Sequence, residues 1–185
     1  MKFLLIKIII ILLGLNIGYI YAKGPVDWTK TFGGSEDDKG FDVQQTQDKG
    51  YVIVGETFSF GDDEFGDVYL IKTDSSGTLK WQKTFGRHNE FWGEDWGSSV
   101  QQTPDKGFII TGSTQSFNDT IYRDVYIIKT DSSGNLQWQK TFGGSYEDVG
   151  NFVQRTQDRG YIIVGETELL SNNKWNVYLI KTDSL

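Results

Sequence analysis

The stretch Asp67-Val-Tyr-Leu-Ile-Lys-Thr-Asp-Ser-Ser-Gly-Thr-Leu-Lys-Trp-Gln-Lys-Thr-Phe-Gly86 returns almost unchanged as Asp124-Val-Tyr-Ile-Ile-Lys-Thr-Asp-Ser-Ser-Gly-Asn-Leu-Gln-Trp-Gln-Lys-Thr-Phe-Gly143. Only positions 70/127, 78/135 and 80/137 differ, so 17 of 20 residues match. A third copy opens at Asn176 as NVYLIKTDSL. Trp28, Trp81 and Trp138 mark the same point in successive units and give periods of 53 and 57 residues. Repeats of this length describe supersecondary units, each of which buries its apolar face against the next.

Working outward, each unit reads as four strands. Strand a is FDVQQT (41–46), SSVQQT (98–103) and NFVQRT (151–156), followed by the turns Asp48-Lys49-Gly50, Asp105-Lys106-Gly107 and Asp158-Arg159-Gly160. Strand b is YVIVGET (51–57), FIITGST (108–114) and YIIVGET (161–167); its apolar opening is that of a strand covered on both faces. Strand c carries the Val-Tyr-Leu/Ile-Ile-Lys-Thr run. The Asp-Ser-Ser-Gly turn, whose glycine suits a left-handed backbone, leads to strand d at 79–85 and 136–142. Trp28-Thr-Lys-Thr-Phe32 reads as a lone strand d before the first full unit. The expectation is an all-β, β-propeller-type array of three four-stranded antiparallel blades. It comprises twelve strands in units near 28–80, 81–137 and 138–185, with 28–32 supplying the last blade's fourth strand. Three blades make an incomplete ring or part of a larger propeller, because closed propellers use about four to eight.

Composition agrees with short strands and tight turns: 22 glycines, 2 prolines and 15% aromatic residues in 185. Zero cysteines exclude a disulfide framework, a thiolate zinc site and a cysteine nucleophile. A single histidine excludes a His-rich metal centre. The net charge of −7 lacks the basic stripe that a nucleic-acid partner requires. At the amino terminus, Lys2 and Lys7 precede an apolar run, Ile8 to Leu15, and Ala22 supplies a small residue for cleavage. Residues 1–22 therefore read as a secretory signal peptide. A retained anchor needs roughly 20 apolar residues, and Asn16 interrupts this run. Removal of Lys2 and Lys7 leaves 16 basic and 25 acidic residues, a charge of −9. No stable membrane insertion is expected after cleavage, and the chain is expected to be secreted or held at the cell surface.

The run Lys129-Thr-Asp-Ser-Ser-Gly-Asn-Leu-Gln-Trp138, followed by Thr141-Phe-Gly-Gly-Ser-Tyr-Glu-Asp-Val-Gly150, resembles the blades of secreted bacterial and archaeal β-propeller proteins with SBBP-type repeats. The resemblance spans Asp27 to Leu185 and recurs, wholly or in part, three times. It implies a propeller fold and an extracytoplasmic setting, and carries no agreed activity. The Gly134…Trp138 spacing also resembles the docking tryptophan of quinoprotein propellers. Those enzymes' cysteines and blade number are missing here, so no cofactor is expected. The sialidase Asp-box has shorter spacings and does not fit.

In a propeller the b–c and d–a loops open on one face, and rigid scaffolds carry function in such loops. Here the b–c loops differ in every copy: 58–66, 115–123 and 168–175. The middle d–a loop, 86–97, has 12 residues against 8 in the loops at 33–40 and 143–150. It carries His88, Glu90, Phe91, Trp92, Glu94 and Trp96, a set suited to stacking on sugar rings and accepting hydroxyl hydrogen bonds, and these are the candidate ligand-binding residues. The competing reading folds the aromatics back as caps on the blade edges. Asp62-Asp63-Glu64 with Asp67, and Glu36-Asp37-Asp38, are acidic but lack the spacing of a calcium loop. They read as solvated turns, so no metal site is expected. Asp38, Asp95 and Asp148 each precede a glycine by two residues and read as side-chain caps on turn amides. With no catalytic set visible, the expected function is a secreted, non-enzymatic binding or scaffold module for a carbohydrate or protein ligand. Self-association to complete a propeller is the other expected partnership. The alternatives are a carbohydrate-active enzyme using Glu90 and Glu94, or a fragment of a larger secreted propeller.

Overall fold

The computed structural model describes residues 27–61, 65–87, 93–117, 121–169 and 174–184, and these contain no helix. Among the described residues, eleven strands form three antiparallel sheets. The first is β1 (Asp38–Gln45), β2 (Tyr51–Thr57), β3 (Asp67–Thr73) and β4 (Leu79–Phe85). The second is β5 (Asp95–Gln102), β6 (Phe108–Thr114), β7 (Asp124–Thr130) and β8 (Leu136–Phe142). The third is β9 (Asp148–Arg155), β10 (Tyr161–Leu169) and β11 (Lys174–Thr182). Neighbours in sequence are neighbours in each sheet, so every blade is a simple meander with short connections.

The third blade therefore has three strands where the repeat count predicts four. Residues 28–32 are not paired as a strand. They lie along the first sheet, where the Trp28 ring meets the Tyr51 ring edge-on at 5.8 Å and stands beside Gly77. A segment held against the first blade cannot also hydrogen-bond β11 at the far end of an open array.

Strand a starts three residues earlier than its apolar pattern indicates. Asp38, Asp95 and Asp148 already pair with Thr57, Thr114 and Thr167. Each register shifts between the following glycine and the residue two further on. The bulge hides the alternation that would mark these residues as strand. Gly112 permits the pairing, because a Cβ there would lie 1.8 Å from the Trp96 carbonyl.

The turns divide their demands between residue types. Gly77 and Gly134 take the left-handed backbone at φ 75° and 77°, as the Asp-Ser-Ser-Gly pattern predicts. In the a–b turns it is Lys49, Lys106 and Arg159 that adopt positive φ. The adjacent Gly50 and Gly107 are required by crowding, since a Cβ on either would lie 2.1 Å from a Thr73 or Thr130 carbonyl.

The core lies between blades. Val52, Val54, Val68 and Leu70 of the first sheet meet Val100, Phe108, Ile110 and Ile128 of the second. Ile109, Val125 and Ile127 from the second sheet's other face meet Val153, Tyr161, Ile163 and Ile180 of the third. The middle strands of the second blade are thus buried on both faces, and removal of this apolar area from water is the main stabilising term. The inner strands are cross-linked as well. Gln102 N donates to Gln44 Oε1 at 2.6 Å, and Arg155 N donates to Gln101 Oε1 at 2.7 Å.

Candidate functional site

The loop end of the blades is built from repeated backbone bonds. Gln115 N donates to Glu94 O at 3.2 Å, and Glu168 N donates to Glu147 O at 2.8 Å. Between blades, Asp95 N donates to Gly66 O at 2.7 Å and Asp148 N to Arg123 O at 2.8 Å. Each loop base is therefore tied both to its own blade and to the next.

Arg123 is the centre of this end. Its guanidinium lies over the Trp96 ring, 4.9 Å from the centroid. It ion-pairs with Glu94 Oε2 and, at 3.3 Å, with Glu147 Oε1. The Arg123 backbone N–H donates to Glu147 Oε2 at 3.3 Å. Beside it the Tyr122 and Tyr146 rings stand 5.2 Å apart. Residues from a d–a loop, a b–c loop and the next d–a loop thus meet around one cation. Opposed charges and the planar guanidinium stacked on an aromatic face favour this arrangement of Arg123, Trp96, Glu94 and Glu147.

Of the predicted site residues, Glu94 and Trp96 are brought together here. Trp96 sits on β5, not in a loop, for the register reason given above. His88, Glu90, Phe91 and Trp92 lie outside the described residues, as do Asp62, Asp63 and Glu64. Arg123 carried no signal of its own in the sequence, because it is a lone basic residue at the end of a b–c loop. Only its position opposite the longest d–a loop could have drawn attention to it.

Next to Trp96 in sequence lies an acid whose ionisation is unfavourable. Asp95 is fully buried, and burial is the main reason that its pKa is pushed up to about 7. Hydrogen bonds from Ser116, Thr114 and the Arg87 amide oppose that rise, and the neighbouring Asp67 adds to it. The equivalent Asp38 caps the Gly34 amide at 2.9 Å and accepts from Ser59 Oγ at 2.8 Å. Asp148 caps the Gly144 amide at 2.7 Å. The three recurrent aspartates act as loop caps, consistent with their spacing. No group of three or more acidic or histidine side chains among the described residues is placed to hold a metal.

No family model and no curated protein matches this chain.

The opposite, turn end holds a second recurrent group. Lys72 and Lys129 are buried, and their ammonium groups meet Asp48 at 2.9 Å and Asp105 at 2.8 Å. Each also donates to the next residue's carbonyl, at 2.7 and 2.8 Å. A cavity of about 340 Å³ opens beside Lys72, lined also by Asp48, Gln102 and Phe108. The hydrogen bond from Thr46, followed by that from Lys72, holds the Asp48 pKa down to about 2. The pairs lock each a–b turn to strand c. Recurrence of the pair, at Lys181 and Asp158 as well, marks these groups as scaffold.

Proposed function

We propose that this chain is a secreted, non-enzymatic binding or scaffold module that presents ligand contacts on its loop end. The observation that carries this reading is the Arg123 group. It fixes the bases of three loops whose sequences differ from blade to blade, while the turn end repeats nearly unchanged. Differing loops on a repeated frame are what ligand specificity requires. The extracytoplasmic setting rests on the apolar run after Lys7 and the small residue Ala22. The ion pair from Arg123 to Glu94 ties that carboxylate into the base of the loop, which favours a structural role over that of a glycosidase acid.

A two-part assay tests the reading. The purified protein is applied to an immobilised glycan and peptide panel and, separately, to chromogenic glycosides. Retention of at least one immobilised ligand, weakened by Trp96→Ala, without glycoside turnover is the expected result. Turnover that disappears in Glu94→Gln would establish the enzyme instead. Mass spectrometry of the exported chain should show Lys23 as its first residue. A mass that includes residues 1–22 would overturn the cleavage.

A further inference from the structure

We infer that the two ends of the blade array are complementary, so that two copies of this chain join head to tail into a six-bladed ring. In it, residues 28–32 of each copy become the fourth strand of the other copy's last blade.

The first observation is a repeated geometry. The Trp81 ring of β4 meets Phe108 in the next blade at 5.8 Å and 64°. A Cβ on Gly134 of that blade would lie 2.7 Å from Trp81 and 3.0 Å from Lys83. Trp28 meets Tyr51 at 5.8 Å and 63°, and a Cβ on Gly77 would lie 2.7 Å from Trp28 and 3.0 Å from Lys30. Residues 28–32 thus occupy, against the first blade, the place that the outer strand of a preceding blade occupies elsewhere. No preceding blade is present among the described residues.

The second observation is at the other end. β11 pairs with β10 and with no other described strand, whereas β3 and β7 each carry an outer strand. The face of this last blade is apolar and uncovered. Val177 is 80% exposed, although its counterparts Val68 and Val125 are completely buried. Phe152, Val164 and Leu179 are also exposed, to lesser degrees. On the first blade Val43 is 60% exposed, while its counterparts Val100 and Val153 are buried. Among the described residues, one end therefore lacks an outer strand and the other holds residues 28–32 in the place of one.

The register follows from the internal pairs Val68↔Phe85, Leu70↔Lys83 and Lys72↔Trp81. Translated by the repeat, Val177 faces Phe32, Leu179 faces Lys30, and Lys181 faces Trp28 of the second copy. The Gln154 side chain then stands where Gln44 and Gln101 accept a backbone N–H of the following blade, opposite the Gln45 amide. Seven-residue strands, four to a blade, give a closed pair a footprint on the order of 1,800 Å² over its four covered faces. That lies within the ~1,200–2,000 Å² typical of specific interfaces. A contact between unlike faces closes only as a ring, and six blades fall in the range that propellers use.

Because the chain has no cysteine, the register can be read by disulfide formation between separately labelled copies. Lys30→Cys protein is mixed with Leu179→Cys protein and, as a control four residues off register, with Trp175→Cys protein. Light scattering on the unmodified protein at micromolar concentration should give the mass of two chains, and oxidation should link Lys30→Cys to Leu179→Cys well above the control. The pair Val177→Asp and Leu179→Asp should yield monomers with an unchanged all-β circular dichroism spectrum. A folded monomer in the unmodified protein, equal linking in both mixtures, or an open ladder of higher oligomers would overturn the inference.

Discussion

The Arg123 guanidinium covers the Trp96 ring at 4.9 Å and ion-pairs with both Glu94 and Glu147. Truncation by Arg123→Ala removes a partly exposed stacking contact and two ion pairs. Contacts of those kinds contribute roughly 0.5–1 kcal/mol each, so a stability loss of about 1.5–3 kcal/mol is expected in a denaturant titration. The ¹⁹F resonance of fluorotryptophan at position 96 should move as the ring becomes free. Arg123→Lys should recover little of this, since an ammonium cannot stack as a planar guanidinium does. An unmoved resonance would mean that Arg123 does not order the ring.

Asp95 gives a pH dependence whose sign is fixed by its pKa of about 7 in the folded chain. The unfolded chain titrates near the ordinary 3.8, so between these values the folded state binds the proton more tightly. The stabilisation is complete below pH ~4 and is lost as pH rises through ~7, by an amount on the order of 4 kcal/mol. Asp95→Asn removes the titrating group. The stability difference between parent and variant should therefore change across that window, in favour of the variant at higher pH. A difference that is flat from pH 4 to 8 would contradict the burial argument.

Leu70 and Leu179 hold the same place in the first and last blades, but only Leu70 is covered by a following blade. Leu70→Ala should cost ~2–5 kcal/mol. At concentrations low enough to keep copies apart, Leu179→Ala should stay within about 0.5 kcal/mol of the parent. Equal losses at the two positions would show that the blades are not stacked in this order.

Repeats made the fold legible, and local irregularities hid the rest. The ranges of β4 and β8 are those predicted from Leu79 to Phe85 and from Leu136 to Phe142, because a turn glycine and a Trp-Gln-Lys-Thr-Phe run bound each strand. The early start of β5 at Asp95 was not visible, because a bulge after Gly97 breaks the alternation on which strand reading depends. The fate of Trp28 to Phe32 was not visible either. Its sequence is that of an outer strand, and which sheet it joins is decided by what stands next to it in space. At the loop end, Glu94 and Trp96 were legible as a charged and aromatic pair in an extended loop. Arg123 was not, since its role comes from three segments that only the fold brings together.

Lys72, Lys129 and Lys181 make the same pair with Asp48, Asp105 and Asp158, yet the Lys181 side chain is 43% exposed while the other two are buried. The difference is the blade that covers the first two. Amine labelling of the intact protein, read lysine by lysine by mass spectrometry across a dilution series, tests the stacking of blades most directly. The account predicts that Lys72 and Lys129 stay protected throughout, and that Lys181 is protected at high concentration and becomes reactive on dilution. Labelling of Lys72 or Lys129 in the folded protein, or a Lys181 equally reactive at every concentration, would contradict it.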